Sequence, residues 1–129
     1  MGFHITTYSM NMTTEQKQIA IAEWDGFIED EPWLDGRRCW IRKDKPAHIG
    51  YEESDIPPYL ISRDAICGAV AKLPDWDENG KDKAEYSERL AYVVGANWSS
   101  NNVEDRRRIF EATASQMADA LLLTLGHQI

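Results

Sequence analysis

The residues with the most suggestive chemical spacing are Asp75, Asp77, Asn79 and Gly80. They match the first half of a calcium loop: oxygen ligands at positions 1, 3 and 5, then a glycine at the sharp turn. The second half departs from that pattern. Tyr86 stands where a bidentate glutamate is needed, Glu85 falls one residue short, and Lys83 puts a positive charge beside the ligands. The spacing therefore predicts a solvated acidic turn and no metal site. The histidines, His4, His48 and His127, lie far apart, and none belongs to a ligand-spaced pair. Ser54, Ser62, Ser99, Ser100 and Ser115 lack a nucleophile elbow or a neighbouring base. Carboxylate pairs such as Glu29 with Glu31, Glu52 with Glu53, and Asp77 with Glu78 occur in any acidic chain and specify no hydrolase. No phosphate-binding glycine loop is present. The expectation is a non-enzyme with no catalytic residue and no cofactor.

Two basic clusters interrupt the acidity. Arg37, Arg38, Arg42, Lys43 and Lys45 surround Trp40, and Arg106, Arg107 and Arg108 follow one another in a helical run. A basic hairpin with an exposed tryptophan can touch nucleic acid. Asp35, Asp44, Glu104 and Asp105 lie beside these groups, so salt-bridged solvent faces are the expected state. The formal net charge is −8 over 129 residues. Acidic residues outnumber basic ones in both halves of the chain, so the charge is spread along it. That balance disfavours direct nucleic-acid binding and permits a basic partner.

The elements that must carry these groups can be read from the pattern. Thr13 and Gln16 have capping-box spacing and open a helix whose inward positions are Ile19, Ala22 and Trp24 or Phe27. Asp25-Gly26 ends it, and EDEPWLDGRR reads as a charged loop with a turn at Asp35-Gly36. RRCWIRK alternates: Cys39 and Ile41 point one way, Arg38, Trp40 and Arg42 the other. Ile49 and Tyr51 are assigned to its partner strand. Pro57-Pro58 stiffens an extended approach to a helix capped by Ser62, with Asp64 in its first turn. Its stripe is Ile66, Ala69, Val70 and Leu73, and Pro74 ends it. KAEYSERLAYVVG forms the next helix, with Tyr86, Leu90, Val93 and Val94 inward and Gly95 past its end. ANWSSNN is a polar link. The run from Asn102 to Gly126 reads as one helix or two: Asn102 and Asp105 open it with Ile109, Phe110 and Thr113 inward, and the capping-box spacing of Thr113 and Gln116 marks where a second would start. Met117, Ala120, Leu121 and Thr124 form the last stripe, broadened by Ala118, Leu122 and Leu125; Gly126 stops it.

The fold class expected is α+β, predominantly helical with a small antiparallel sheet packed against the helices. Residues 1–12 read as a flexible N-terminal segment and residues 13–129 as a single compact domain. Hydrophobic residues make up 43% of the chain, enough for a core without staples. The tryptophans Trp24, Trp33, Trp40, Trp76 and Trp98 are expected in core or half-buried positions, and Cys39 and Cys67 as buried free thiols. The opening shows no basic region followed by an apolar run, and no stretch reaches the length of a membrane span. A cytoplasmic setting in the host cell is the default expectation.

Three ordered pieces, EQKQIAIAEWDGF, IPPYLISRDAICGAVAKL and ATASQMADALLLTLG, resemble the small tailed-phage and prophage proteins associated with the phage ABA sandwich domain. Ile19 to Glu23 fit the first family motif, with Trp24-Asp25-Gly26 in place of the usual Ala-Cys-Gly. Pro58-Tyr59-Leu60 and Asp64-Ala65 fit the second, with Ile66-Cys67 in place of Met-His. Ala112 to Ala114, Gln116, Ala118, Ala120 to Leu122 and Thr124 to Gly126 fit the third. Met117 replaces an arginine and Asp119 a glutamate. The resemblance implies a compact α+β fold and a phage origin, and it carries over no catalytic residue. The function expected is that of a non-enzymatic phage or prophage accessory protein acting through macromolecular binding. The alternative is an anti-CRISPR-like inhibitor of a host nucleic-acid-binding effector. The partner is a host or phage protein, contacted through Glu29, Asp30, Glu31, Trp33, Trp40, Glu52 and Glu53; a homodimer stays open.

Overall fold

The computed structural model describes residues 11–97 and 102–129. His4, Trp98, Ser99 and Ser100, nearly all of the N-terminal segment and most of the polar link lie outside the described residues.

Reciprocal caps start the first and last helices. Thr13 Oγ1 accepts from the Gln16 amide at 3.1 Å, and Gln16 Oε1 accepts from the Thr13 amide at 2.8 Å. They open α1, Thr14–Trp24. Thr113 and Gln116 repeat the arrangement at 3.1 and 2.9 Å and open α5, Ala114–Thr124. Each box satisfies amides that a helix start leaves unpaired. Between them lie β1 (Phe27–Asp30), β2 (Cys39–Arg42), a 3-10 turn (Glu53–Asp55), α2 (Arg63–Val70), α3 (Lys83–Val94) and α4 (Val103–Phe110). Ser62, Asp82 and Asn102 cap α2, α3 and α4 with side-chain oxygens. Gly95 closes α3 in the left-handed conformation. The result is an α+β fold, predominantly helical, with one small antiparallel sheet among the described residues.

α5 is the central element and packs against α1, α2 and α3. Met117, Ala118, Ala120, Leu121, Leu122 and Thr124 are all buried, and the Thr124 hydroxyl is absorbed by the Ala120 carbonyl at 2.8 Å. Leu123 and Leu125 are half-buried. The stripe read from the sequence broadens into most of the helix surface because neighbours cover it on several sides.

The sheet differs from the expected hairpin. β2 pairs with β1, in the register Phe27↔Arg42 through Asp30↔Cys39. Tyr51 contributes only a single bridge to Trp40, at 2.9 and 2.7 Å. Phe27 therefore belongs to a strand, where it packs edge-on to Tyr51, and does not extend α1. Gly26 makes this turn possible at φ 109°, a conformation that suits glycine. In α1 Ile21 and the expected Ala22 are both fully buried, while Ile19 is half-buried. Ile66, Ala69 and Leu73 are buried as expected; α2 ends at Val70, before Pro74.

Four further expectations fail on burial. Cys67 is exposed, whereas Cys39 is buried. Trp76 is 76% exposed, and Phe110 is 80% exposed, since α4 touches only α3 closely and buries none of its own residues. Thr113 is spent as a cap and stays exposed.

The end of α1 is tied down by polar contacts. Trp24 Nε1 donates to the Ala69 carbonyl at 2.9 Å. The Asp25 carboxylate accepts from the buried Tyr59 hydroxyl at 2.5 Å and pairs with Lys72 Nζ at 2.5 Å. Gln18 clamps the proline segment from both sides, donating to the Pro57 carbonyl at 2.7 Å and accepting from the Tyr59 amide at 3.2 Å. The Tyr86 hydroxyl and Trp40 Nε1 are buried with no hydrogen-bond partner among the described residues.

Leu121→Ala should cost about 2–5 kcal/mol by opening a cavity beside α5, read from urea unfolding midpoints. Tyrosine ionisation should set the alkaline limit. Burial, then the Asp25 carboxylate, raises the Tyr59 pKa; burial, then the nearby Cys67 sulfur, pushes Tyr86 up to about 12. Both phenols are favoured neutral in the fold, so their contribution is complete below the ordinary value of about 10 and is lost as pH rises above it. Unfolding midpoints should be flat from about pH 7 to 9 and fall beyond about pH 10. Tyr86→Phe should soften that fall and gain up to about 1 kcal/mol at neutral pH by removing an orphaned hydroxyl.

Candidate partner-binding face

At the loop end of the hairpin, next to the Asp30↔Cys39 pair, the chain places Arg37 and Arg38 side by side, and carboxylates from four separate segments converge on them. Arg38 is half-buried. It forks onto Glu29 with both contacts at 2.9 Å, and it reaches Glu15 at 3.2 Å and Glu53 at 3.1 Å. Its guanidinium lies 5.1 Å from the Trp40 ring centre. Arg37 holds Asp35 at 2.7 Å, pairs with Glu52, and stacks over Trp33 at 4.9 Å. A recess of about 390 Å³ is lined by Arg37, Arg38, Glu52, Glu53 and Ser54.

Local structure explains the convergence. The capping box sets Glu15 in the first turn of α1. Antiparallel register brings Glu29 across from Trp40, diagonal to Arg38. The 3-10 turn presents Glu53, and its start is closed by the Glu52 amide donating to Asp55 Oδ2 at 2.8 Å. Asp35 Oδ1 accepts from the Arg37 amide at 3.1 Å and rigidifies the turn. Trp33 lies over Gly50, where an added Cβ would stand 3.0 Å from the indole and 3.2 Å from Cys39 Sγ.

The electrostatics follow from the pairing. The hydrogen bond from Arg38, reinforced by its charge, holds the Glu29 carboxyl below its ordinary range. The backbone and side-chain bonds from Arg37 do the same for Asp35. Arg38 itself is raised, first by Glu29 and then by Glu53 and Glu15. Glu15, Glu29, Asp35, Glu52 and Glu53 outnumber the two guanidinium groups that they share. The face stays net negative although its arginines are saturated.

Of the residues selected from the sequence, Glu29, Glu52, Glu53 and Trp33 are brought together here. Asp30 and Glu31 sit exposed at the same end of β1 and make no ion pair among the described residues. Trp40 is a correction: it is 1% exposed, lies in the core beneath Arg38, and has no surface to offer a partner. The alternation that put Arg38, Trp40 and Arg42 on one face was sound. That face points inward, and the arginine stems roof it. Glu15 and the central role of Arg38 were missed, whereas Asp35 pairs with Arg37 as the salt-bridged reading expects. The Arg37-Arg38 pair was visible as a basic cluster, but the three carboxylates on Arg38 come from positions that no local spacing relates.

The remaining chemical candidates resolve into local structure. Asp77 Oδ2 accepts from the Asn79 and Lys81 amides at 3.0 and 3.2 Å, and Asp82 is the buried cap of α3. Asp75 pairs with Lys83 at 3.3 Å. The acidic loop thus turns its oxygens onto its own backbone. His48 and His127 are exposed. Among the described residues no group of three or more histidine, cysteine or acidic side chains is placed to hold a metal ion. Arg42 pairs with Asp44 at 2.8 Å and Arg107 with Glu104, as the salt-bridged reading expects. No helix among the described residues is long and apolar enough to cross a membrane.

Compared with known proteins, the chain matches no family model, no curated protein and no solved structure.

Arg38→Gln should return the Glu29 carboxyl to its ordinary range near 4.3 and red-shift tryptophan emission as the roof over Trp40 opens. Side-chain carboxyl NMR titration and fluorescence read the two effects. An unmoved Glu29 titration would show that Arg38 does not organise the face.

Proposed function

We propose that this chain acts by binding, as a phage or prophage accessory protein that engages a basic surface on a host or phage protein. The observation that carries this reading is the surplus of carboxylates around Arg37 and Arg38. Buried pairing of every acid would leave nothing for a partner. Here the arginines order the carboxylates while leaving uncompensated charge in solvent, which steers association with a cationic surface. The phage origin rests on the three sequence pieces that resemble the ABA sandwich group. A second reading, an anti-CRISPR-like inhibitor of a nucleic-acid-binding effector, is favoured by the same ordered carboxylates, because such an array can occupy a groove built for phosphates.

The test is affinity capture from host lysate with the wild-type chain and with a Glu52→Lys, Glu53→Lys double variant. A basic protein retained at low salt, released as salt rises and lost with the double variant is the expected result. Release of that protein by excess DNA selects the inhibitor reading. Equal capture by both chains would overturn the acidic face as the binding surface.

A further inference from the structure

The acidic face borders an open apolar groove through a shared residue. Glu15, which Arg38 holds at 3.2 Å, also lines a groove of about 490 Å³ together with Gln18, Ile56, Pro58, Leu60 and Ile61. Ile56 is buried at the floor, Leu60 is half-buried, and Ile61 stands 83% exposed at the rim. A branched aliphatic side chain so far into water has no role in the core.

The groove is preformed. Gln18 fastens the Pro57 to Tyr59 backbone to α1, and the adjacent prolines restrict the chain before it. The Ile61 and Ser62 amides bond back to the Pro58 carbonyl at 3.2 and 3.0 Å, and Ser62 caps α2. A ligand entering it orders little that is not already ordered, which favours affinity.

We infer that this groove anchors one aliphatic side chain carried on a basic segment of the partner protein. The inference rests on the binding role proposed above and adds the chemistry of the partner. Charge complementarity selects the occupant. Glu15 lines the groove, and Arg38 ties it to Glu53 and Glu29, so a chain that leaves the groove on the Glu15 side meets all three carboxylates. Basic residues beside the anchor meet those carboxylates. A second copy of this chain is disfavoured as occupant, because its net charge of −8 would bring like charge against the same face. The larger cleft between α1 and the tail after α5, lined by Met12, Glu23 and His127, lacks this continuity with the arginine network.

The test is isothermal titration of the whole chain with three synthetic peptides of equal length: a lysine- and arginine-rich peptide with a central leucine, the same peptide with serine in its place, and a neutral peptide that keeps the leucine. The basic leucine peptide should bind roughly tenfold tighter than the basic serine peptide. Ile61→Ser, which alters a side chain already in solvent, should erase that difference while leaving the serine peptide's affinity unchanged. Glu52→Lys should weaken both basic peptides together. Equal affinity for the two basic peptides, or a preference that survives Ile61→Ser, overturns the anchor and leaves the acidic-face reading standing. Equal binding of the neutral and basic leucine peptides overturns the basic flank. Failure of both basic peptides to bind overturns the proposed function as well. A concentration-dependent dimer abolished by Ile61→Ser, seen by sedimentation, assigns the groove to a second copy and overturns the inference.

Discussion

Everything in this fold is arranged around one helix that cannot be left in water. α5 buries residues on nearly every side, and α1, α2 and α3 are the walls that dry it. Apolar burial on this scale is the main favourable term for a small domain. It also dictates small residues where the walls come close: Ala114, Ala118 and Ala120 are buried alongside Met117, Leu121 and Leu122. The lone buried hydroxyl in the helix, on Thr124, is turned back onto the helix's own backbone.

The polar contacts then fix the order of the walls. α1 is held to α5 by Lys17 and Asp119 at 2.9 Å, and to α2 through Trp24 and the Asp25–Lys72 pair. Tyr59 enters the same junction from the proline segment and leaves no exposed surface. The result is a rigid frame whose two ends do different things. The C-terminal end of α1 is consumed by structure. Its N-terminal end, with Glu15 and Gln18, is turned outward and borders both the arginine network and the apolar groove.

The two arginines unite these features. Arg38 is part of the core's roof, through Trp40, and part of the surface, through its carboxylates. A lysine would give the charge without the planar fork that reaches Glu29 twice while contacting Glu15 and Glu53. Because these ion pairs are largely exposed, their gain in stability is small. Their consequence is order: carboxylates that would otherwise sample many rotamers are held in one arrangement, at little further entropy cost to a partner.

Local chemistry made much of the architecture legible. Both capping boxes, the Ser62 cap, the Asp25-Gly26 break, Gly95 and the α5 stripe depend on residues a few positions apart, whose hydrogen bonds and periodicity are properties of the chain itself. The turn at Asp75 to Asp82 follows the same local logic, with Asp77 and Asp82 accepting from nearby amides. Strand pairing was less so. Nothing local told β2 to choose Phe27–Asp30 over Tyr51, because that choice rests on what α1 leaves open beside it. Burial of Trp40 and exposure of Trp76, Cys67 and Phe110 were likewise decided by which neighbours arrive, and alternation alone does not say which face of a strand is inside. For the candidate site, the sequence supplied the carboxylates and the arginine pair. Only the tertiary structure joined Glu15, Glu29 and Glu53 on one guanidinium and set an apolar groove beside them, since ion pairs between distant segments exist only once the core has brought those segments together.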